Sequence, residues 1–316
     1  MNHIVKRIAI LSGVFAAALG VFFFANNRWN SGQDQAVYMD MEAASLPSVT
    51  VQMLDRDMNR LYGYRQEMNT TAAGETLTIL PEDRALTVRI TEGTVTGISY
   101  EVRSMDRERL VERTEVSDWR QTDDGILAVL PIQNLLTKER EYQLKIQLDT
   151  ENFGPVYYYT RILWTDAADN ARAMVDLAAD FSMKTFDYEQ ARSLTTYLET
   201  SPSEDNSTFG HSSFSQLTWG KLDMQPEANV EIHLKELDGV MCGIQLSYQA
   251  KRQGEGGTEI YEVEEDFTMK WNELRIYMMQ YDRTVNQIFS GDRSEYSGKR
   301  ILLGITGDDR VELVKS

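Results

Sequence analysis

Short runs in which apolar and polar residues alternate recur between Val49 and Trp164, and they constrain the fold more than any other feature of the sequence. Successive side chains of a β-strand point to opposite faces, so this period of two predicts strands that each bury one face. The runs cover residues 49–51, 77–79, 86–90, 98–102, 126–130, 142–148 and 156–162. Seven short strands in about 115 residues predict a β-sandwich over residues 46–165.

A tyrosine at the start of one run indicates which class of β-sandwich the chain resembles. Leu136 precedes Tyr142 by six residues, and Tyr142 opens the alternating run that ends at Leu148. The pattern resembles the tyrosine corner of fibronectin type III and related immunoglobulin-like sandwiches, where a tyrosine hydroxyl bonds back to the backbone ahead of its strand. The turn at 152–155 and the strand after it look like the last hairpin of such a domain. The resemblance implies a spacer or binding module, although a fold alone does not assign a function.

The hydrophobic period changes after Trp164. One helical face is predicted by the apolar residues Ala171, Met174, Val175, Ala178 and Phe181. Thr165 or Asp166 is available as its N-terminal cap. Asp187, followed three residues later by Gln190, predicts the start of a second helix.

Further alternating runs follow these helices. Two runs, 230–234 and 240–250, flank Asp238-Gly239, a pair typical of a tight hairpin. A glycine-rich turn then leads to a strand whose apolar face carries Tyr261, Val263, Phe267, Met269 and Trp271. Glu265 alone among the acidic residues here points to that apolar face. Residues 166–290 are therefore predicted to be an α+β domain, with two helices packed on an antiparallel sheet.

The segment 267–288 supports two interpretations. Its apolar residues fit a heptad, which would make a long helix. They also alternate, and β-branched and aromatic residues are dense, which favours two strands with a tight turn at 282–284. With two strands, the part from 274 to 316 resembles hairpins of a β-propeller blade. Residues 291–316 would then be a C-terminal β-hairpin or the start of a further domain.

An uncharged run lies near the N-terminus. The eighteen residues from Ile8 to Ala25 would make a helix roughly 27 Å long, enough to span a bilayer. Lys6 and Arg7 precede it and predict a cytoplasmic tail over residues 1–7. The run is longer than a cleaved signal peptide needs, so an uncleaved anchor is favoured. Residues 26–45 are then a stalk, and the rest of the chain lies outside the cytoplasm.

Charge and cysteine content restrict the possible partners and the cellular compartment. The net charge of −17 disfavours nucleic acid as a partner, because phosphate backbones are repelled. Cys242 is the single cysteine, so no disulfide can form within the chain. An exported protein without disulfides fits a bacterial cell envelope best.

Candidate catalytic residues are few. His3 falls on the predicted cytoplasmic tail, and His211 stands beside two serines, Ser212 and Ser213, in a stretch rich in serine and glycine that predicts a loop. No nucleophile motif surrounds those serines. His233 falls on the polar side of its strand and is expected to be exposed. Cys242 is expected to be a buried structural thiol.

Acidic residues form two groups. Glu262, Glu264 and Asp266 share a strand face, and a second group comprises Asp118, Asp123 and Asp124 near Trp119. Such carboxylates can act as glycosidase acids or calcium ligands, but in so acidic a chain they are more simply solvated. The sequence therefore assigns no catalytic, cofactor-binding or metal-ligating residue.

Two hypotheses for function follow. The first is a non-catalytic, membrane-anchored interaction, scaffold or sensory-accessory protein of the bacterial envelope, whose partner is another envelope or membrane protein. The alternative is a cell-wall glycan-binding module or glycan-acting enzyme, suggested by Trp119, Trp219 and Trp271 beside acidic residues.

Overall fold

Two five-stranded sheets lie between residues 48 and 163 of the computed structural model. The structure describes residues 13–22, 46–68, 74–134, 136–194, 217–219, 222–227, 229–254 and 257–288, together with the backbone of 296–297 and 300–301. The ten strands of these sheets are β1 (Ser48–Met53), β2 (Arg56–Leu61), β3 (Leu77–Ile79), β4 (Ala85–Thr91), β5 (Val95–Ser104), β6 (Leu110–Glu115), β7 (Trp119–Thr122), β8 (Gly125–Pro131), β9 (Glu141–Thr150) and β10 (Gly154–Leu163). The first sheet has the order β2-β1-β4-β8-β7 and the second β3-β10-β9-β5-β6. All neighbours are antiparallel except β3 and β10, which are parallel.

The seven strands predicted from alternation all form, as β1, β3, β4, β5, β8, β9 and β10. Their inward residues make a buried core that includes Val88, Tyr100, Leu130 and Ile146. The mainly β, sandwich-like fold is therefore confirmed. Strands β2, β6 and β7 were not predicted, and each lies at the edge of its sheet.

Tyr142 makes the hydrogen bond that the tyrosine-corner pattern predicted. Its hydroxyl accepts a bond of 3.1 Å from the backbone N–H of Thr137, five residues earlier, and the side chain is buried. The bond pins the turn before β9 to the core of the second sheet.

Replacing Tyr142 with phenylalanine is expected to lower the free energy of unfolding by about 1 kcal/mol, because the hydrogen bond from the Thr137 N–H to the Tyr142 hydroxyl is lost. Urea unfolding measures the change. Tyr62→Phe is the control, since Tyr62 is 68% exposed and a surface change is expected to stay within about 0.5 kcal/mol. Equal effects of the two variants would contradict a structural role for the Tyr142 hydroxyl.

The N-terminal part of the chain requires a correction. Residues 13–22 are helical, and this helix is called α1. Among the described residues no helix is both long enough and apolar enough to cross a bilayer. The structure thus contradicts the predicted transmembrane helix over 8–25, and with it the membrane location, the signal anchor and the extracytoplasmic orientation. Residues 1–7, 8–12, 23–25 and the predicted stalk at 26–45 lie outside the described residues.

Two helices follow the sandwich. Helix α2 (Ala168–Lys184) buries the predicted face, from Ala171 to Phe181, against the third sheet. Its N-cap is Ala167, which makes no side-chain capping bond, so the prediction of Thr165 or Asp166 as cap is wrong. Helix α3 (Tyr188–Ala191) is a single turn followed by a 3₁₀ turn (Arg192–Leu194). Its predicted cap is confirmed, because Asp187 accepts bonds from the N–H groups of Glu189 and Gln190.

The third sheet has the order β11-β13-β14-β15, with β12 also beside β13. Its strands are β11 (Gln225–Pro226), β12 (Glu231–Asp238), β13 (Met241–Gly254), β14 (Gly257–Asn272) and β15 (Arg275–Gln287). The hairpin from β12 to β13 turns at Gly239-Val240, one residue later than predicted, and Gly239 adopts the positive φ of +53°.

Residues 267–288 form strands and not a heptad helix. The chain turns at Glu273-Leu274, so the turn predicted at 282–284 is wrong and those residues lie inside β15. The hairpin of a propeller blade predicted from residue 274 is therefore absent from the described residues, where 275–287 are one strand. Nearer the C-terminus, β16 (Tyr296–Ser297) pairs with β17 (Arg300–Ile301), and residues 302–316 lie outside the described residues.

One buried asparagine joins the sandwich to the third sheet. The side chain of Asn59 donates a 2.8 Å hydrogen bond to the carbonyl of Leu77 and accepts one of 2.8 Å from the N–H of Leu234. It thereby satisfies backbone groups of β3 and β12 that would otherwise be buried without partners. The domain boundary predicted at residue 165 falls in the connection between β10 and α2.

Candidate functional site

A charged cavity lies on the outer face of the second sheet of the sandwich. Side chains of Tyr100 and Val102 enter the core, so Glu101 and Arg103 project from the opposite face of β5. The strand register places Lys145 beside Glu101 and Gln143 beside Arg103. The cavity, of about 410 Å³, is lined by Glu67, Met68, Glu101, Arg103, Arg107, Gln143, Lys145 and Tyr159, and is called the Lys145 cavity below.

Ion pairs hold the charged groups of the Lys145 cavity in place. Lys145 Nζ lies 2.6 Å from Glu67 Oε1 and 3.1 Å from Glu101 Oε2. Glu101, whose side chain is only 6% exposed, also contacts Arg103 Nε at 3.2 Å and Arg113 Nε at 3.1 Å. Because Lys145, Arg103 and Glu101 each have an opposite charge in contact, these side chains are oriented before any ligand arrives.

The electrostatic environment keeps both Lys145 and Glu101 ionised. Burial acts to raise the pKa of the Glu101 carboxyl, but hydrogen bonds and charges from Lys145 and Arg103 outweigh it, so the pKa is lowered. Burial acts to lower the pKa of Lys145, but Glu67 and Glu101 outweigh it and the pKa is raised. Lys145 and Glu101 therefore remain a charged pair at neutral pH.

Residues 64–68 cross the second sheet and form the wall of the Lys145 cavity. Tyr64 exchanges two backbone hydrogen bonds with Tyr157 on β10, of 2.9 and 2.8 Å. The Tyr159 hydroxyl accepts a 2.7 Å bond from the N–H of Met68. Arg107 donates to Gln143 Oε1 at 2.6 Å and to the carbonyl of Met68 at 3.3 Å. These bonds fix residues 64–68 above the strands and leave the space between them open.

The Lys145 cavity differs in charge from the chain as a whole. Three cations and two carboxylates line it, which leaves it one positive charge, whereas the chain carries −17. Guanidinium groups such as those of Arg103 and Arg107 bind carboxylates well, often through two hydrogen bonds. The cavity can therefore accept a carboxylate side chain or chain terminus.

A second polar cluster lies where β12 meets β2. Arg60 Nη1 contacts Glu231 Oε1 at 2.7 Å, and His233 Nε2 is 3.8 Å from Glu231 Oε2, too far for a hydrogen bond. The nearby His233 imidazole and the hydrogen bond and charge of the Arg60 guanidinium lower the pKa of the Glu231 carboxyl, against its partial burial. The prediction that His233 is exposed is wrong, because β2 and β3 cover its side of β12 and leave it 5% exposed.

Other candidate residues stand apart from both clusters. His3, His211 and the serines Ser212 and Ser213 lie outside the described residues. Cys242 is buried, as predicted, and burial raises the pKa of its thiol to about 12.

The two acidic groups remain at the surface. Glu262, Glu264 and Asp266 share the outer face of β14, as predicted, and Asp118, Asp123 and Asp124 are exposed near β7. Within the described ranges no three histidine, cysteine or acidic side chains are placed to hold a metal ion.

The three tryptophans have different surroundings. Trp219 is buried and stacks on Phe186 with ring centroids 5.1 Å apart, and Trp271 packs against the core. Trp119 is 36% exposed on β7.

The Lys145 cavity is not evident from the sequence. Its only signal was charged or amide residues two apart, at 101 and 103 and at 143 and 145, which predicts no more than a polar strand face. Cross-strand register was needed to bring those pairs together.

Comparison with known proteins yields no family. No protein-family model and no curated protein matches the chain. A solved structure of an endo-beta-1,4-mannanase double mutant from Cellulomonas fimi aligns at 12% identity over 38% of this chain and 19% of its own, with a TM-score of 0.22. CopC from Methylosinus trichosporium OB3b aligns at 13% identity over 31% of this chain and 92% of its own, with a TM-score of 0.23. Similarities this weak carry no argument about function.

Proposed function

We propose that the protein is a non-catalytic interaction protein that binds a carboxylate-bearing partner protein at the Lys145 cavity. The observation that carries the proposal is the pre-oriented set of cations around open space: Lys145, Arg103 and Arg107 on a chain that is otherwise strongly acidic. A site that is organised before binding loses little conformational freedom when a ligand enters. Charge complementarity also favours the correct partner over others.

The architecture supports a binding role. The bond between Tyr142 and Thr137 supports placing the sandwich with fibronectin type III or immunoglobulin-like domains, as part of this proposal. Such domains commonly present a rigid sheet face to a partner. Glu101 and Lys145 neutralise each other at the base of the Lys145 cavity, so a partner's carboxylate would meet Arg103 and Arg107 at its rim.

Affinity capture from an extract of the native cells tests the proposal, with the full chain immobilised. Arg103→Glu reverses the charge of a side chain that also pairs with the buried Glu101, so folding of the variant must be measured alongside capture. Recovery of the partner by the folded variant should fall at least about tenfold. Added hexaglutamate peptide should compete with the partner for the Lys145 cavity and lower its recovery.

The control for this capture is Arg120→Glu, which makes the same charge change at an exposed position on β7 outside the Lys145 cavity. It should recover the partner as wild type does, and thermal unfolding should show both variants folded. The proposal is overturned if no protein is captured, or if a captured protein is retained equally by Arg103→Glu.

A further inference from the structure

Trp119 stands at the edge of the sandwich with an accessible ring. It opens the edge strand β7, three residues after Val116, whose N–H bonds to the carbonyl of Ile98 on β5. The ring therefore borders the second sheet and forms one side of a groove of about 610 Å³. This Trp119 groove is lined by Ser99, Arg113, Glu115, Trp119, Gln147 and Asp149, among others. Its volume falls in the range of about 300–1,000 Å³ that is typical of small-molecule sites.

The floor of the Trp119 groove is a row of hydrogen-bonding side chains on two strands. The register sets Ser99 beside Gln147, and Gly97 beside Asp149. Gln147 Nε2 donates a 2.9 Å bond to Asp149 Oδ1, which orients both planar groups. A Cβ at position 97 would lie 3.1 Å from Asp149 Oδ2, so glycine leaves room for the carboxylate over the strand.

The chemistry of the Trp119 groove selects among ligand classes. Asp149 and Glu115 disfavour phosphates, and Arg113 offsets part of their negative charge. An amide, a carboxylate, a guanidinium and a hydroxyl can each bond a sugar hydroxyl, while an indole face offers a flat apolar surface to the C–H groups of a pyranose ring. A neutral polyhydroxylated ring matches both features at once.

We propose that the Trp119 groove binds a neutral oligosaccharide, with one pyranose ring stacked on Trp119 and its hydroxyls bonded to Gln147, Asp149 and Arg113. This site lies further along the strands that form the Lys145 cavity, and it does not depend on the partner proposed for that cavity.

Isothermal titration of the full chain tests the proposal, with cellohexaose, N-acetylated chitohexaose, mannohexaose and xylohexaose as the probes. At least one should bind, and Trp119→Ala should weaken that binding at least about tenfold because the stacking surface is lost. Trp119→Phe keeps an aromatic face and should stay within about threefold of wild type. Gln147→Leu should also weaken binding, since it removes the hydrogen bonds but keeps the volume.

The control variant is Tyr62→Ala, which removes an aromatic side chain that is 68% exposed and does not line the Trp119 groove. Its affinity should equal that of wild type. The proposal is overturned if none of the four oligosaccharides binds with a Kd below about 10 mM, or if Trp119→Ala and wild type bind equally. It is also overturned if hexalysine, titrated in parallel, binds more tightly than every sugar and loses that binding in Trp119→Ala.

Discussion

Replacing Arg283 with methionine is expected to lower the free energy of unfolding by about 3–5 kcal/mol, because it leaves the carboxylate of Glu265 buried without its counter-charge. Glu265 on β14 has a fully buried side chain, and Arg283 Nε on β15 lies 2.7 Å from its Oε1. The Tyr281 hydroxyl donates a second bond of 2.7 Å to the same oxygen. Urea unfolding at neutral pH measures the loss.

Arg283 also connects the third sheet to the loops beside it. Its Nη1 donates to the carbonyl of Leu217 at 3.0 Å, and its Nη2 donates to Thr185 Oγ1 at 2.9 Å. The guanidinium carbon lies 4.0 Å from the centre of the Trp219 ring, a cation–π contact. Burial and the charge of Glu265 raise the pKa of the Tyr281 hydroxyl well above its usual value, so that hydroxyl keeps its proton and continues to donate.

Two further variants separate loss of the charge pair from loss of packing. The double variant Glu265→Leu with Arg283→Met removes both charges and should recover a large part of the stability lost by Arg283→Met alone. Arg275→Met, at an exposed position at the start of the same strand, should change stability by less than about 0.5 kcal/mol. If the double variant were no more stable than Arg283→Met, the buried charge would not be the cause.

Truncating Phe181 to alanine is expected to cost about 3–5 kcal/mol, because a fully buried aromatic side chain is removed and a cavity is left behind. Phe181 on α2 is 0% exposed and contacts Phe267 and Tyr281 edge-on, with centroid distances of 5.8 and 5.2 Å. It is the main aromatic contact from α2 to β14 and β15 among the described residues. Phe181→Leu keeps most of the volume and should cost less than half as much, by the same urea measurement. Losses of equal size would indicate that the cavity is not the cause.

The edge strands show why sequence alone found only part of the sandwich. Alternation revealed every strand with neighbours on both sides, because those strands bury one complete face. Strands β2 and β6, with the sequences RDMNRL and LVERTE, have the mostly polar composition of strands at a sheet edge. Their conformation depends on backbone pairing with β1 and β5, which a hydrophobic pattern does not record.

The wrong prediction of a turn at 282–284, which lie inside β15, has a related cause. Asp282, Arg283 and Thr284 have the composition of a turn when considered alone. In the structure the register sets Arg283 directly opposite Glu265, so the ion pair and the strand are compatible. The sequence predicted the inward direction of Glu265, but the cation that permits its burial is eighteen residues away and depends on the position of the hairpin turn.

By itself the sequence determined the strand-rich fold, the inward-facing residues of the central strands, the buried face of α2 and the cap of α3, because these follow from local periodicity and local hydrogen bonds. Only the tertiary structure decided the burial of His233, the partner of Glu265, the Lys145 cavity and the exposure of Trp119 beside a polar groove. Each of these depends on which strands become neighbours and in which register, and pairing between distant segments leaves no periodic signal within either segment.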